Sequence, residues 1–574
     1  MSLQFITGNS GNGKTKYLFN RIVKEAKANP RDNYLVIVPE QFTMQTQRQL
    51  VDLSENKAIM NIDVLSFKRL AYRVFDELGI TNLTVLEETG KNLVLRKLAA
   101  QEADKLGVIG RNLNRIGYIS EVKSLLSELV QYNISPEELG RYIASGRLSD
   151  TLSDKLKDVL VLYEAFEKFM QDKYITAEEI LNVLSNVAEE SAILRNSVIA
   201  FDEFTGFTPI QNQLIKKLFV ISKKIYVTLT IDCREDIFKS RGMQELFDMP
   251  KRTVKSLTEM AAFYGIEVEE PIILDKNYRL AENEELSFME QQLFRKRRSS
   301  FKKAPKHIHI DCLRDPKQEL TKIARRINEL VRNENLRYRD IAIVTGDVNI
   351  YAGYVREIFD KYNIPYFIDA TQEILFHPFI EFIRSIPDIA AQNFSADAVF
   401  RFLRCGFTEL SASEIDVLEN YVLACGVRGK SAWDKKWVRL PKHKAGYDIE
   451  LLNQSREYIM ELLKPVYQVF SDKKSTVKDY VLAIYKLIVL LDIPDKLAKK
   501  EQALLDAGDQ TASKEYGQIY KIVMQLFEKY VAVLGDECMD AEEFTQILDA
   551  GLDAADVAVI PPGYDTVTIG DIER

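Results

Sequence analysis

The residues that most constrain this chain stand at its start. Gly8-Asn-Ser-Gly-Asn-Gly13-Lys14-Thr15 fits the spacing G-x-x-x-x-G-K-[ST]. It follows the apolar run Leu3-Gln-Phe-Ile-Thr7 and precedes Tyr17, Leu18, Ile22 and Val23 at helical spacing, so it reads as a loop between a strand and a helix. Gly8, Gly11 and Gly13 free the backbone N–H groups of the loop, with Asn9, Ser10 and Asn12 between them, to close around phosphates. The helix N-terminus adds partial positive charge, Lys14 reaches the β- and γ-phosphates, and the Thr15 hydroxyl ligates Mg²⁺.

Such a loop needs a carboxylate for the metal and a second one for water. Asp202-Glu203 follows the apolar run Val198-Ile-Ala-Phe201, at a strand's C-terminal end where ligands of open parallel sheets collect. Asp202 is expected to hold Mg²⁺ through water and Glu203 to activate the attacking water. Alone, the pair would also suit a helix cap or a solvated surface; behind a phosphate loop the catalytic reading is favoured.

The rest of the chain extends this pattern. Apolar runs at Tyr34–Pro39, Ser197–Asp202 and Lys224–Thr230 alternate with helical segments, which predicts a parallel α/β sheet. Residues 86–190 carry almost no strand signal. There Leu156, Val159, Leu160, Tyr163, Phe166 and Met170 share one helical face, and Thr176-Ala-Glu-Glu179 reads as a capping box. Phe294-Arg-Lys-Arg-Arg298 and Ser299–Pro305 read as a basic linker near nucleic acid or a solvated hinge. Beyond it the pattern resumes: strand 307–312, helix 316–333, strand 340–344, helix 352–362 and strand 365–369, then helices over 378–555 and a strand at 565–570.

The 574 residues allow about four domains. With 46% hydrophobic and 28% charged residues, disordered, collagenous and disulfide-scaffold classes are excluded. The formal charge of −8 excludes a protein basic throughout, though not a local basic track. Five scattered cysteines without a C-x-x-C pair argue for a reducing compartment and against a zinc or iron–sulfur site in these residues. With neither a signal peptide nor a run of about 20 apolar residues, a soluble cytoplasmic protein is expected.

Several motifs together resemble a family. Asp202-Glu-Phe-Thr-Gly-Phe-Thr-Pro-Ile-Gln211 resembles superfamily 1 helicase motif II, with Thr205 and Gly206 in place of the usual Gln and Asp. Val38-Pro-Glu-Gln-Phe-Thr-Met-Gln-Thr-Gln47 and Val64-Leu-Ser-Phe-Lys-Arg-Leu-Ala71 resemble motif Ia and the segment after it. Leu274-Asp-Lys-Asn-Tyr-Arg279 is similar to the N-Y-R motif, which implies that Arg279 contacts the γ-phosphate. The second α/β pattern, with His377-Pro378, resembles the second RecA-like domain of the UvrD/Rep group. The wording of the first loop with Val-Pro-Glu-Gln-Phe-Thr and Phe-Thr-Gly-Phe-Thr-Pro resembles most the AddB (RexB) family of bacterial AddAB helicase–nucleases.

The resemblance implies two RecA-like domains with parallel sheets, each carrying an all-helical insert. The first is residues 1–85 plus 190–290 with insert 86–189; the second is 300–377 plus 556–574 with insert 378–555. It further implies ATP and Mg²⁺ as cofactors, DNA with single-stranded and duplex ends as partner, an AddA-type subunit, no membrane, and a part in double-strand break repair with Chi recognition. A nuclease domain with an iron–sulfur cluster is expected only beyond Arg574, the present residues being the front part of a longer protein. For DNA contact the candidates are Phe42 and Thr43, and Ser66, Phe67 and Lys68, an aromatic beside hydroxyls and a cation; the alternative places both phenylalanines in the core. The coupling motif G-D-x-x-Q has only Ile231-Asp-Cys-Arg-Glu235 as a counterpart, without its glycine and glutamine. Binding of ATP with weak hydrolysis is therefore expected, the alternative being an active 3′→5′ helicase motor. His307 and His309 suit the exposed face of a strand better than a metal site.

Overall fold

The computed structural model describes residues 1–574 except 82–84, 109, 111–117, 146–147, 171–173, 296–298, 370–371, 374–375, 441–446, 473, 554–555, 558–564 and 573–574. The chain gathers into two compact units, Met1–Leu86 with Leu125–Ser145 and Glu167–Asp311, and Glu87–Ser124 with Gly146–Phe166 and Cys312–Arg574.

The first unit is built on a seven-stranded parallel sheet. β1 (Ser2–Gly8) pairs with the strand Lys224–Thr230, which pairs with Val198–Phe201, then β2 (Tyr34–Ile37) and β3 (Ile62–Leu65); the short strands Glu267–Val268 and Ile272–Leu274 flank β1 on its other side. Side chains alternate across it as the pleat requires. Leu3, Phe5, Leu35, Ile37, Ile199, Phe201, Ile225 and Val227 enter one core, with helix α3 (Phe67–Leu78) and the helices Pro209–Ile221 and Asp248–Phe263. Ile6, Tyr34, Val36, Val198, Ala200 and Tyr226 enter the other, with α1 (Lys14–Ala28) and a flank of α2 (Thr43–Leu53). Burial on both faces explains why the strands read as continuous apolar runs. It also fixes which side Thr228 faces: two residues beyond Tyr226, it shares the face of α1.

The reciprocal bonds read at Thr176 are formed, but in the turn before the helix Ile180–Val187, whose N-cap is Glu179. Thr176 N donates to Glu179 Oε2 at 2.7 Å and Glu179 N donates to Thr176 Oγ1 at 3.2 Å.

In the second unit a three-stranded parallel sheet places Val567–Asp571 between Ala342–Thr345 and Tyr366–Ile368. Helices Pro316–Asn333 and Val348–Tyr362 cover it through Leu320, Ala324, Val355 and Phe359. A larger helical core runs from Phe379 to Leu552, and helix Glu88–Gln101 packs against helix Ala541–Asp553 there. Both units thus have the expected α/β class with parallel sheets. Among the described residues no helix is long and apolar enough to cross a membrane.

Two readings of the sequence are corrected. Residues 307–312 form no strand: the N–H groups of Lys306 and His307 donate to the Glu285 carboxylate at 2.7 and 2.8 Å, so a side chain takes the donors a ladder would use. Arg295 does not belong to a solvated linker, because its guanidinium is buried in an ion pair, described below; the remaining cations of that run, Lys296, Arg297 and Arg298, lie outside the described residues.

Candidate nucleotide site

The loop after β1 is pinned from several directions. Gly11 (φ 85°) and Gly13 (φ 77°) are both left-handed, Gly13 standing at the N-cap of α1. The N–H groups of Tyr278 and Arg279 converge on Gly11 O at 2.9 and 3.3 Å, and Asn277 Nδ2 donates to Ser10 O at 3.0 Å. A Cβ at Gly11 would stand 2.8 Å from Asn277 Oδ1 and 2.9 Å from Arg279 Cβ, and one at Gly8 would stand 2.6 Å from Leu274 O. The glycines therefore serve two ends, the turn itself and the close seating of the segment Leu274–Arg279. Asn12 Nδ2 adds a bond to Leu274 O at 2.5 Å.

The carboxylates come from the neighbouring strands. Thr15 Oγ1 donates to Glu203 Oε1 at 3.1 Å, and Thr228 Oγ1 donates to Asp202 Oδ1. Asp202 is 1% exposed, and its other oxygen, Oδ2, is buried without a hydrogen-bond partner. Burial pushes its carboxyl up to about 6; the Thr228 hydroxyl opposes this and the Glu203 charge adds to it. Glu203 adopts φ 63°, a left-handed conformation uncommon for a residue with a Cβ, which turns its exposed carboxylate toward Thr15. Lys14 Nζ donates to Asn9 O at 3.0 Å. Burial lowers its pKa, and the Glu203 and Asp202 carboxylates oppose that shift.

These groups line one cleft of about 840 Å³, with Ser10, Gly11, Gly13, Lys14 and Thr15 on one wall, Asp202, Glu203, Thr228 and Arg279 on others, and Phe42 at the α2 side. A buried acceptor lacking a partner beside a threonine hydroxyl and a lysine is a donor set suited to Mg²⁺ and phosphate. Asp202, Glu203, Arg279 and the loop, read separately from the sequence, are thus brought together in one place. The sequence reading overlooked Thr228, whose hydroxyl could have been found by counting alternation from Tyr226, and Tyr278, whose ring is 64% exposed and lies beside Gly13.

Several of the DNA candidates are engaged within the protein itself. Phe67 is 7% exposed and packs among Phe201, Phe204 and Phe207 at centroid distances of 5.8, 5.6 and 6.3 Å. Thr43 Oγ1 is bonded to Glu40 O at 2.9 Å, and Ser66, the N-cap of α3, donates to the Glu40 carboxylate. Phe42 lines the nucleotide cleft, and Lys68 is exposed.

A buried polar network joins the loop to the segment Ile231–Glu235. Asn9 accepts from Cys233 N at 2.9 Å through Oδ1 and donates to Glu290 Oε1 at 3.0 Å through Nδ2. Glu290 meets Arg295 at 3.5 Å, and Arg295 Nε pairs with Asp232 Oδ2 at 2.9 Å. Arg234 closes the set through Nε to Asp232 Oδ1 at 2.8 Å, and the two guanidinium groups hold the Asp232 carboxyl far below the usual range despite its burial. We predict that Asn9→Asp, which opposes two carboxylates at this contact, weakens nucleotide binding about tenfold or more, and that adding Glu290→Gln restores most of it by supplying an amide donor. Titration calorimetry with Mg²⁺-nucleotide checks this; an unrescued double variant would mean that the contact does not set the loop.

The family described as ADDB, N-terminal matches residues 5–290. The chain is 38% identical to the B subunit of an ATP-dependent helicase/deoxyribonuclease of Lachnoclostridium phytofermentans, with 100% of this chain and 51% of that protein covered. It is 33% identical to the protein of the same name from Caldanaerobacter subterraneus and 31% identical to that of Clostridium acetobutylicum, each with 100% of this chain and 50% of the relative covered. The chain therefore spans about half the length of the curated relatives it matches. With a phosphate loop, a paired Asp-Glu and an N-Y-R segment assembled in one cleft, and likeness running along all 574 residues, the chain is a homologue of the AddB proteins, its residues 5–290 matching the family's N-terminal part.

Proposed function

We propose that this chain is the ATP- and DNA-binding, helicase-like region of an AddB-type subunit, working with an AddA-type partner on double-strand DNA ends for homologous recombination and Chi recognition. Its nucleotide site is read as a binding and regulatory one more than as a motor. The observation that carries this reading is Asp232, which stands where a coupling aspartate is expected and is consumed by Arg234 and Arg295. A carboxylate held by two guanidinium groups, 1% exposed, is not free to switch between ATP and DNA.

In that site Lys14 sets its ammonium against phosphate oxygens, and the main-chain N–H groups of the loop donate to them. Thr15 and Asp202 would hold Mg²⁺, which would supply positive charge against the phosphates. Arg279 faces the γ-phosphate side, and the open ring of Tyr278 offers a surface for the base. Glu203 is placed to take a proton from water, and this supports the second reading, a DNA-stimulated ATPase with 3′→5′ movement.

Steady-state ATP hydrolysis with and without single-stranded DNA separates the two, using Lys14→Ala and Glu203→Gln alongside ATP affinity. The proposal expects ATP binding that Lys14→Ala removes, with turnover that DNA does not raise. DNA-stimulated turnover abolished by both substitutions would establish the motor instead.

A further inference from the structure

The chain carries a net charge of −8, yet one short segment of the second unit runs against it. Between Arg428 and Leu440 stand Arg428, Lys430, Lys435, Lys436 and Arg439 with Asp434 as the single acid, and Lys430 is paired with that acid at 2.6 Å. Arg428, Lys435, Lys436 and Arg439 are exposed, and none of the four has an ion pair among the described residues.

What sets this segment apart from a solvated loop is its anchoring. The two tryptophans of the chain, Trp433 and Trp437, flank the lysine pair and are 0% and 6% exposed, with ring centroids 5.3 Å apart. Asn453 grips the Trp437 backbone on both sides, accepting from its N–H at 2.9 Å and donating to its carbonyl at 2.9 Å. The buried Arg456 donates to Trp433 O at 2.9 Å, and Tyr421 donates its hydroxyl to Arg439 O at 2.7 Å. The backbone is thereby fixed at 433, 437 and 439, and the residues between are held outward. Buried aromatic anchors beneath a helical turn, Lys430–Trp433, and the irregular residues that follow it, whose free side chains are cationic, form a platform in which only the side chains remain to be ordered by a partner.

We propose that Arg428–Leu440 is a docking platform for the phosphate backbone of duplex DNA, with Lys435, Lys436 and Arg439 as the contacting cations. The charge fits a polyanion, and the fixed backbone with flexible lysine tips fits a repeating phosphate track that carries no sequence information. The proposal deepens the DNA-binding reading above and rests on it.

Duplex DNA affinity of the whole chain as a function of salt tests it, comparing Lys435→Glu/Lys436→Glu with Lys499→Glu/Lys500→Glu. The second pair is exposed on helix Ile493–Asp506 and changes the net charge equally. The platform variant should bind roughly tenfold more weakly and lower the slope of log affinity against log salt by about 1.8, while the control shifts affinity without that loss of slope. Lys435→Ala/Lys436→Ala should show the same slope change, and thermal melting and ATP affinity should be unaltered in all three. Equal behaviour of platform and control variants, with DNA still bound, would overturn the platform and leave the DNA-binding reading standing. Failure of the unmodified chain to bind duplex DNA would overturn both, and selective loss of binding to an acidic peptide such as poly-glutamate would assign the surface to a protein partner instead.

Discussion

Phe67→Ala should lower the stability of the first unit by about 3–5 kcal/mol, the range for removing a large aromatic from a packed core. Phe67 opens α3, is 7% exposed and touches Phe201, Phe204 and Phe207, so truncation leaves a cavity that three rings cannot close without moving the strand end that carries Asp202. Phe67→Leu, which keeps most of the volume, should cost less than about 1.5 kcal/mol. Urea unfolding of the full chain measures both. Under conditions where the variants stay folded, DNA affinity should be unchanged. A loss of DNA affinity without a loss of stability would return Phe67 to the role of a base-stacking residue.

Asp202→Asn should act in two opposite directions at once. In the metal-free protein the Asp202 carboxyl is pushed up to about 6, above the ordinary aspartate value, so the folded state holds its proton more tightly than the unfolded state. Stability then falls as pH rises from about 4 to about 6 and remains lower by roughly 3 kcal/mol at neutral pH. The amide of asparagine carries no charge to desolvate, and its oxygen can still accept from Thr228. The variant should therefore melt higher at pH 7 and show a flat stability profile across that window, while losing the part of nucleotide affinity that depends on Mg²⁺. Melting at pH 4.5 and 7.5, with and without Mg²⁺-ATP, reads both effects. An Asp202→Asn protein that is destabilised at neutral pH would mean that the carboxylate is not held at a cost.

The phosphate loop, the Asp-Glu pair and the parallel sheets were legible because each depends on neighbouring residues alone: a glycine pattern, a strand end, an alternation. The DNA candidates were not, because an aromatic beside hydroxyls looks the same whether its ring stacks on a base or on Phe201. Ser66 and Thr43 illustrate this, since Glu40 satisfies both, through its side chain for one and its carbonyl for the other. The misread strand at 307–312 had a suitable pattern, and the competitor for its N–H groups, Glu285, lies more than 20 residues earlier. Arg295 looked like linker charge for the same reason, its partner Asp232 being more than 60 residues away.

The middle strand of the second sheet carries a consequence for synthesis. Val567–Asp571 pairs with strands that end at Thr345 and Ile368, so about 200 residues are translated between the second of those and the strand that joins them. At roughly 5–20 residues per second this is a wait of about 10–40 s during which two edges lie open on the ribosome. The helices Pro316–Asn333 and Val348–Tyr362 can shield one face in that interval, but neither edge is closed. In the cell, the yield of this unit should depend on chaperones that bind nascent chains, and synonymous codon changes that slow translation between Ile368 and Val567 should lengthen that exposure.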